Sequence, residues 1–450
     1  MILNRFANKY WTLLLCLLAM PLSAQVIECI GNAKMVVNNT DTAFVFAGEP
    51  QVKSQVGKVD WYRTSDGMLF QSDSEEVYPE TGEGLVLKKG GETLGVYYVF
   101  DLTKYAPKID TVDVTPRCRE TIVQLHGTIP PMSYKDTFGM PSTLTRRCAV
   151  AYTNLGWGED SWQDSAAVET FTLSTNKMHL QPLYRSSTFT VRFDDEWRNE
   201  LSLASDSVVS EEAEPIAVTS HVISTTTVRG KKGEKSNEVE RPTESTTLSG
   251  SAPLEIFFES NPSPAVEFFD WRIYRSSQLL ATRADETLRY TFSEPGHYRV
   301  VNYVLNQKCP CRDTDDGDCD RDSTLIEITV PESQLLVPNV FTPNGDGQND
   351  EFRVLYRSLR EYHIWVYNRW GKLVYESTDP SKGWDGTIGG RPAAEGAYYY
   401  VIRALGTDAA KDAEYHSRQA YEKAKKNSDE SYLGIYQMSG DINLLRGKNK

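Results

Sequence analysis

The sequence has no long apolar run beyond its N-terminus, and its short basic run, Arg229-Gly-Lys-Lys-Gly-Glu-Lys235, lies in a polar stretch and is interpreted as a solvated loop. It contains 48 Lys and Arg against 62 Asp and Glu, which gives a formal net charge of −14. Nucleic-acid binding depends on clustered Lys and Arg that neutralise phosphates, so this balance argues against a nucleic-acid partner. Because no later segment is long and apolar enough to span a bilayer, we expect no transmembrane segment in the mature chain.

Sequence signatures of common enzyme classes are also missing. The chain has no Gly-x-Ser-x-Gly elbow, no His-Glu-x-x-His pair and no phosphate-binding glycine loop. Its six histidines are scattered along the sequence. We therefore predict a protein without enzymatic activity. The alternative is a hydrolase whose catalytic residues meet only in three dimensions, for which a pocket that holds His together with Asp or Glu would be sought in residues 111–245.

The N-terminus has the organisation of a secretory signal peptide. Arg5 and Lys9 precede the apolar run Leu13–Met20, and small residues follow up to Ala24. This order predicts a signal peptide at residues 1–24, cleaved after Ala24. The apolar run is too short to cross a membrane, so we expect the mature chain to be exported and soluble.

Cysteine is scarce, with seven residues in 450, one of them inside the signal peptide. Six cysteines would remain after cleavage, and an even number in an exported chain favours disulfides over free thiols. The pairing does not follow from the sequence, although a bridge between Cys118 and Cys148 would link two strand-like segments. The disulfide candidates are Cys29, Cys118, Cys148, Cys309, Cys311 and Cys319.

The chain is too long for one hydrophobic core. Short alternating runs of Val, Ile, Thr, Tyr and Phe are separated by Gly, Pro, Asn and Asp, and this pattern predicts an all-β chain of tandem immunoglobulin-like β-sandwiches. We predict an immunoglobulin-like domain at 25–110, a second β domain with polar loops or a linker at 111–245, and further domains at 246–333 and 334–450. Ser224–Ser249, around the boundary between the domains at 111–245 and 246–333, is interpreted as a linker.

Two segments of the chain share a tryptophan followed by a Gly-x-Tyr strand. Trp61 precedes Gly95-Val-Tyr97, and Trp271 precedes Gly296-His-Tyr298. A buried tryptophan on one sheet that faces the Gly-x-Tyr strand of the other would fit sandwich packing. The second copy resembles the polycystic-kidney-disease-type immunoglobulin-like module, because Tyr290-Thr-Phe is followed by Pro-Gly-His-Tyr-Arg-Val300.

Five segments follow one another in a fixed order near the C-terminus. They are Val337-Pro-Asn-Val-Phe-Thr-Pro-Asn-Gly-Asp-Gly-Gln-Asn-Asp350, Tyr367-Asn-Arg-Trp-Gly371, Gly383-Trp-Asp-Gly386, Glu395-Gly-Ala-Tyr-Tyr-Tyr-Val-Ile402 and Gly440-Asp-Ile-Asn-Leu-Leu-Arg446. The series resembles the gliding-motility-associated C-terminal domain, the type B sorting domain of the type IX secretion system of Bacteroidota. It departs from that family in a polar, helix-forming segment, Asp408–Glu430, which predicts a small helical insertion.

This resemblance implies export through the type IX translocon to the cell surface, the outer membrane or the medium. The implied partners are the translocon and its associated outer-membrane proteins, and the preceding modules would serve in adhesion or as a scaffold for an unidentified surface ligand. The alternative is an accessory component of the secretion or gliding machinery that docks permanently on the translocon. The short chain and the helical insertion give that alternative weight.

Two loops carry enough oxygen ligands to suggest calcium. The first has Asn344, Asp346, Asn349 and Asp350 among glycines, and the second has Asp313, Asp315, Asp318 and Asp320. Calcium takes six to eight oxygen ligands. The alternatives are tight turns closed by Asn and Asp in the first loop and an exposed acidic loop in the second. The first loop lacks the bidentate glutamate of a twelve-residue calcium loop, so the turn interpretation is favoured there.

Residues for translocon recognition are expected in two places. Trp370 and Trp384 lie beside glycines in turns, where we expect their rings to stay partly exposed. The terminal strand supplies the others, namely Asp441, Ile442, Leu444 and Leu445.

Overall fold

The computed structural model describes residues 26–38, 41–136, 138–173, 175–193, 201, 207–308, 321–410 and 433–446. Several predicted features lie outside these residues: the signal peptide, nearly all of the helical insertion, Cys309, Cys311, Cys319, Asp313, Asp315, Asp318 and Asp320. Within these residues the fold is all-β, apart from a 3₁₀ helix. It divides into two compact units, Met1–Ala217 and Val218–Lys450. In the described part, no helix has the length and apolarity needed to cross a membrane.

The first module is a two-sheet sandwich. Its strands are β1 (Ile27–Cys29), β2 (Ala33–Asn38), β3 (Asp41–Phe46), β4 (Val52–Ser54), β5 (Val59–Arg63), β6 (Leu69–Ser74), β7 (Glu76–Val77), β8 (Glu83–Lys89) and β9 (Glu92–Asp101), followed by the 3₁₀ helix Leu102–Tyr105. The sheets have the strand orders β1-β4-β7 and β2-β3-β9-β8-β5-β6. Trp61 is fully buried, and its indole N–H donates to the Ser74 carbonyl at 3.1 Å.

The second module is also a sandwich. Its strands are β10 (Lys108–Pro116), β11 (Thr121–Thr128), β12 (Met132–Lys135), β13 (Pro141–Leu144), β14 (Arg147–Trp157), β15 (Trp162–Thr172), β16 (Lys177–Leu180), β17 (Thr190–Arg192) and β18 (Ser207–Val209). Two sheets, β10-β11-β16 and β15-β14-β17-β18, enclose a core that includes Val123, Val150 and Phe189. The β12–β13 hairpin instead packs on the first module, with Tyr134 against Tyr98 at a ring-centroid distance of 4.2 Å.

The third module lies in the second unit. It contains β19 (Ser220–Thr226), β20 (Leu254–Pro262), β21 (Phe268–Arg275), β22 (Gln278–Arg283), β23 (Thr287–Phe292), β24 (Gly296–Leu305) and β25 (Asp322–Val330). The sheets are β19-β20-β23 and β22-β21-β24-β25. Trp271 is fully buried between them, and its indole N–H donates to the Asp285 carbonyl at 2.9 Å.

The predicted sheet placement of the two tryptophans is wrong. Trp61 on β5 shares its six-stranded sheet with Tyr97 on β9, and Trp271 on β21 shares its sheet with Tyr298 on β24. The tryptophan and the Gly-x-Tyr strand therefore lie in the same sheet rather than facing each other across the core. Alternation along a strand gives the face of each residue but not the sheet to which the strand belongs.

The boundary before the third module also differs from the expected one. Strand β19 pairs with β20 from Ser220↔Pro262 to Thr226↔Ile256, and the first unit ends at Ala217. The segment interpreted as a linker thus begins inside a strand, and its remainder is a long connection between β19 and β20. The sequence hides this because β19 is an edge strand rich in Thr and Ser, which resembles loop composition.

As far as the structure describes it, the last module has a five-stranded sheet and two two-stranded sheets, β26-β28 and β31-β32. Its strands are β26 (Gln334–Leu336), β27 (Val340–Phe341), β28 (Leu355–Arg357), β29 (Leu359–Tyr367), β30 (Leu373–Ser377), β31 (Thr387–Ile388), β32 (Arg391–Pro392), β33 (Gly396–Gly406) and β34 (Ile435–Leu444). The main sheet has the order β27-β34-β33-β29-β30. Its terminal strand β34 is therefore internal, since it pairs with β33 on one side and in parallel with β27 on the other.

The disulfide prediction is wrong for two cysteines. Cys148 is fully buried in the second module, where its sulfur lies 3.3 Å from that of Met178, and it takes part in no disulfide. Cys29 is a free thiol at the end of β1, and burial together with the charge of Glu28 raises its pKa to about 12. Cys118 is disulfide-bonded, so the Cys118–Cys148 bridge does not form. A buried cysteine often serves as a small apolar core residue, which counting cysteines does not reveal.

Candidate recognition surface of the last module

The loop from Val337 to Asp350 is closed by the carboxylate of Asp350. One oxygen accepts from the backbone N–H groups of Asn344 at 2.9 Å and Gly345 at 2.6 Å, and the other accepts from Gly347 at 2.7 Å. These backbone donors stabilise the charged carboxylate and lower the pKa of Asp350 below its usual value. Asp350 therefore acts as the anchor of the loop.

Further turns within the same loop use the predicted calcium ligands. The side-chain oxygen of Asn344 accepts from the Asp346 N–H at 3.0 Å, and Asp346 accepts from the Gln348 N–H at 2.8 Å. Asn349 has a left-handed backbone, with φ of 52°, which asparagine tolerates. These local hydrogen bonds are the ones that the turn interpretation predicts.

Calcium at this loop remains a prediction. Across the part of the chain that the structure describes, no group of three or more His, Cys, Asp or Glu side chains converges as a metal cluster would. The loop's own amide groups supply the positive ends that face Asp350, so its conformation is explained without a cation.

The exposure predicted for Trp384 is wrong. Its side chain is 1% exposed, and its indole N–H donates to the Thr387 carbonyl at 2.8 Å. Its ring packs 5.4 Å from that of Phe341 and 4.8 Å from that of Tyr398. Reciprocal backbone bonds with Phe352 turn this segment toward the core, so Trp384 holds the module together and is inaccessible to a partner.

The exposure predicted for Trp370 is confirmed. Its side chain is 74% exposed at the tip of the β29–β30 connection, where the Arg369 guanidinium lies 4.2 Å from the ring centroid. The side chain of Asn368 accepts from the N–H groups of Trp370 and Lys372 and thereby shapes the turn. The positive φ of Gly371 completes the turn and leaves the indole in solvent.

The terminal strand divides into buried and accessible residues. Ile442 and Leu444 are fully buried in the core, whereas Asp441 is exposed and Leu445 is 49% exposed. Contact of Ile442 or Leu444 with a partner is incompatible with the folded module. The predicted recognition set therefore reduces to Trp370, Asp441 and Leu445, because alternation along β34 turns Ile442 and Leu444 inward and Trp384 is buried.

Arg446 is a residue that the recognition set omitted. Its guanidinium donates to the carbonyls of Pro343 at 3.0 Å and Gly386 at 2.8 Å, and its backbone N–H donates to Glu395 at 2.7 Å. It thus ties the end of β34 to the first, third and fourth of the ordered segments. The sequence feature that could have pointed to Arg446 is its position as the last residue of the fifth ordered segment.

The outer face of the main sheet carries a second accessible set of rings. The imidazole of His363 stacks on Trp365 at a centroid distance of 3.7 Å and bonds Glu376 at 2.7 Å. Tyr399, on the neighbouring strand β33, is 49% exposed. A shallow cavity of about 470 Å³ lies beside His363 and Trp365 and is also lined by Arg403. Aromatic and charged groups together are typical of protein-contact surfaces.

The region considered for a hydrolase contains two histidine–carboxylate pairs. His126 lies 2.8 Å from Asp113, and His179 lies 2.7 Å from Glu120. All four side chains are accessible and lie on or beside the strands of the β10-β11-β16 sheet. Cross-strand pairs in such positions stabilise a sheet.

Comparison with known protein families assigns two of the modules. Residues 335–421 match the family model of the CHU_C type IX secretion signal domain. The signal domain thus begins with β26 and contains four of the five ordered segments; the fifth follows on β34. Residues 111–208 match the fibronectin type III domain, so the second β domain is of the fibronectin type. No curated protein matches the chain.

The solved structures that are similar to this chain share little sequence identity with it. A tetra-tandem repeat from the extending region of a large adhesion protein is 10% identical, with 90% of this chain and 99% of that chain covered and a TM-score of 0.21. The chicken CNTN1 FN1–FN3 domains are 9% identical, with 76% and 99% covered and a TM-score of 0.20. At these TM-scores, neither likeness carries an argument about fold or function.

Proposed function

We propose that this chain is a non-enzymatic exported protein that the type IX secretion system recognises through its last module and delivers to the cell surface or the medium. The observation that carries the proposal is the match of residues 335–421 to the type IX secretion signal domain. The intact sheet around β34 supports recognition of a folded domain, since its apolar residues are buried and unavailable as a linear peptide.

The recognition surface in this proposal consists of accessible residues of the signal domain. Trp370 is the leading candidate because a large exposed indole contributes more contact energy than most other side chains. Asp441 and Leu445 lie at the end of β34 and are accessible. The outer sheet face around Trp365 and Tyr399 extends the area available to a partner.

The preceding modules would act in adhesion or as a scaffold. Their support is architectural, since three β-sandwiches precede the signal domain along the chain. The third module is proposed to be of the polycystic-kidney-disease type on the strength of its Trp271 and Pro295-Gly-His-Tyr298 segment. The absence of common catalytic signatures from the sequence supports a role without enzymatic activity.

Deletion of residues 334–450 tests the export proposal. In cells with a type IX secretion system, we expect the truncated chain to accumulate in the periplasm, because the recognised domain is gone. The measurement is fractionation together with protease accessibility of whole cells, with the full chain as control. Normal surface display of the truncated chain would overturn the proposal.

A further inference from the structure

The long β19–β20 connection leaves the third module and lies against the signal domain. We call residues 229–251 of this connection the strap. Its residues Asn237 to Val239 run alongside β28, with Glu238 in a parallel bridge to Tyr356. The Val239 N–H donates to the Tyr356 carbonyl at 2.7 Å, and the Tyr356 N–H donates to the Asn237 carbonyl at 3.0 Å. The strap thus adds one parallel bridge on the side of β28 away from β26.

The side chain of Asn237 fixes the strap to two further points of the signal domain. Its amide nitrogen donates to the carbonyls of Val354 at 3.0 Å and Pro380 at 2.5 Å. The residue is only 8% exposed. An asparagine amide has two donors, and both are used here. Loss of this amide would leave two carbonyls without these donors in a poorly hydrated place.

The far end of the strap is held by two buried serines. The Ser358 N–H donates to the Ser251 hydroxyl at 2.9 Å, and the Ala252 N–H donates to the Ser358 hydroxyl at 3.0 Å. Ser251 and Ser358 are both fully buried. These reciprocal bonds join the start of β20 to the junction of β28 and β29, so the contact is a built interface within the second unit.

An ion pair lies between these two anchors. The Arg357 guanidinium is 2.5 Å from the Glu240 carboxylate, and Arg357 is largely buried. Glu240 has φ of 55°, and Ser358, next to Arg357, has φ of 51°. Non-glycine residues persist in the left-handed region only where their surroundings hold them there. Backbone strain on both sides of the interface therefore indicates a defined docked conformation.

We propose that the export signal of this chain is composite: the signal domain is competent for recognition only when the strap of the preceding module is docked on β28. The strap closes the open side of β28 and holds the backbone at Val354 and Pro380. Residues 335–421 alone would lack these contacts. This inference rests on the proposed function.

Hydrogen exchange of the purified full chain tests the docking. In Asn237→Ala, the Val239 N–H should exchange about tenfold faster, because hydrogen bonds that hold it in place are lost. A second variant, Glu240→Arg, places like charges together at a half-exposed position, and the same acceleration is expected without a core cavity. Asn261→Ala is the matched control, since this asparagine bonds carbonyls within the third module. Unchanged exchange in both strap variants would overturn the inference.

Surface display of the same full-length variants tests the link to export. We expect Asn237→Ala and Glu240→Arg to be displayed at least about fivefold less than the wild type and Asn261→Ala to be displayed normally, a loss that requires the strap to be undocked in most of the molecules. Normal display of variants whose strap exchanges faster would overturn the inference, and so would equal loss in the Asn261→Ala control. Those results leave the proposed function standing if the chain without residues 334–450 stays in the periplasm, whereas normal display of that truncated chain overturns the proposed function itself.

Discussion

At the scale of single residues, the decisive feature of the signal domain is the carboxylate of Asp350. It accepts three backbone hydrogen bonds, and no neighbouring cation is required to explain its lowered pKa. The loop has the Asn-Gly-Asp-Gly composition of a calcium site, but in the folded chain its oxygens accept from the loop's own N–H groups. The composition predicted tight turns in this loop, and the hydrogen bonds show that the side-chain oxygens accept from backbone N–H groups of the same loop.

Asp350→Asn should lower the free energy of unfolding at neutral pH, because an amide replaces a carboxylate that backbone donors stabilise. The folded pKa lies below the unfolded value of about 3.9. The wild-type advantage is therefore fully present above the unfolded pKa and is lost as pH falls through the folded pKa. Thermal unfolding of both proteins between pH 2 and 7 measures the difference, and a gap that stays constant to the lowest pH would contradict this account.

The two tryptophans beside glycines show the limit of prediction for single residues. Trp370 and Trp384 have similar local sequences, but one is 74% exposed and the other 1%. Trp370 belongs to a turn whose bonds are all local, so the sequence sufficed. Trp384 is turned inward by its backbone bonds to Phe352, a residue 32 positions earlier (384 − 352), and that contact has no signature in the neighbouring residues.

At the scale of elements, the pairing of β10 with β11 depends on a bulge at a glycine. The register shifts between Ile109 and Thr111, opposite Gly127. Gly127 has φ of 144°, and a Cβ there would lie 2.2 Å from the Lys108 carbonyl oxygen. Close approach of two backbones explains why glycine occupies this strand position.

Gly127→Ala should destabilise the protein by about 3 kcal/mol, because the methyl group meets backbone atoms that cannot move aside. Gly139→Ala is the control, since Gly139 also has a positive φ of 78° but has open space around the added Cβ. That variant should cost about 1–2 kcal/mol. Denaturant unfolding compares the two, and equal losses would show that backbone conformation rather than crowding decides the effect.

The strands themselves were predictable where alternation is strong. In β24 the buried residues Tyr298, Val300 and Val304 alternate with accessible ones, and the sequence shows that period. Edge strands were harder, as β19 shows, because one side of such a strand faces solvent and tolerates Ser and Thr. Sheet membership could not be predicted, since pairing is set by contacts far along the chain.

At the scale of the whole molecule, the main feature is the order of the modules along the chain, with the signal domain last. The first unit contains two sandwiches, and the second contains the third sandwich with the signal domain. The signal domain is stabilised from inside its own unit by the strap. An exported protein of this organisation would carry its export signal on a domain that is stabilised by contacts with the preceding module.

Co-purification distinguishes an exported protein from a permanent part of the translocon. We expect most of the full chain to be recovered free, on the surface or in the medium, because recognition during export is transient. The measurement is a pull-down of the full chain from solubilised cells, with quantification of bound and unbound protein. A stoichiometric complex that persists through purification would contradict the expectation and support the accessory-component alternative.

The sequence by itself determined the fold class and the position of the signal domain. Alternating strands indicated β-sandwiches, and the ordered segments from Val337 to Arg446 indicated the signal domain, since both depend on local order along the chain. The tertiary structure decided which residues of that domain a partner could reach and revealed the strap. Burial of Trp384 and docking of Asn237 depend on contacts between distant segments, and such contacts form only when hydrogen-bonding groups and apolar surfaces meet in the folded chain.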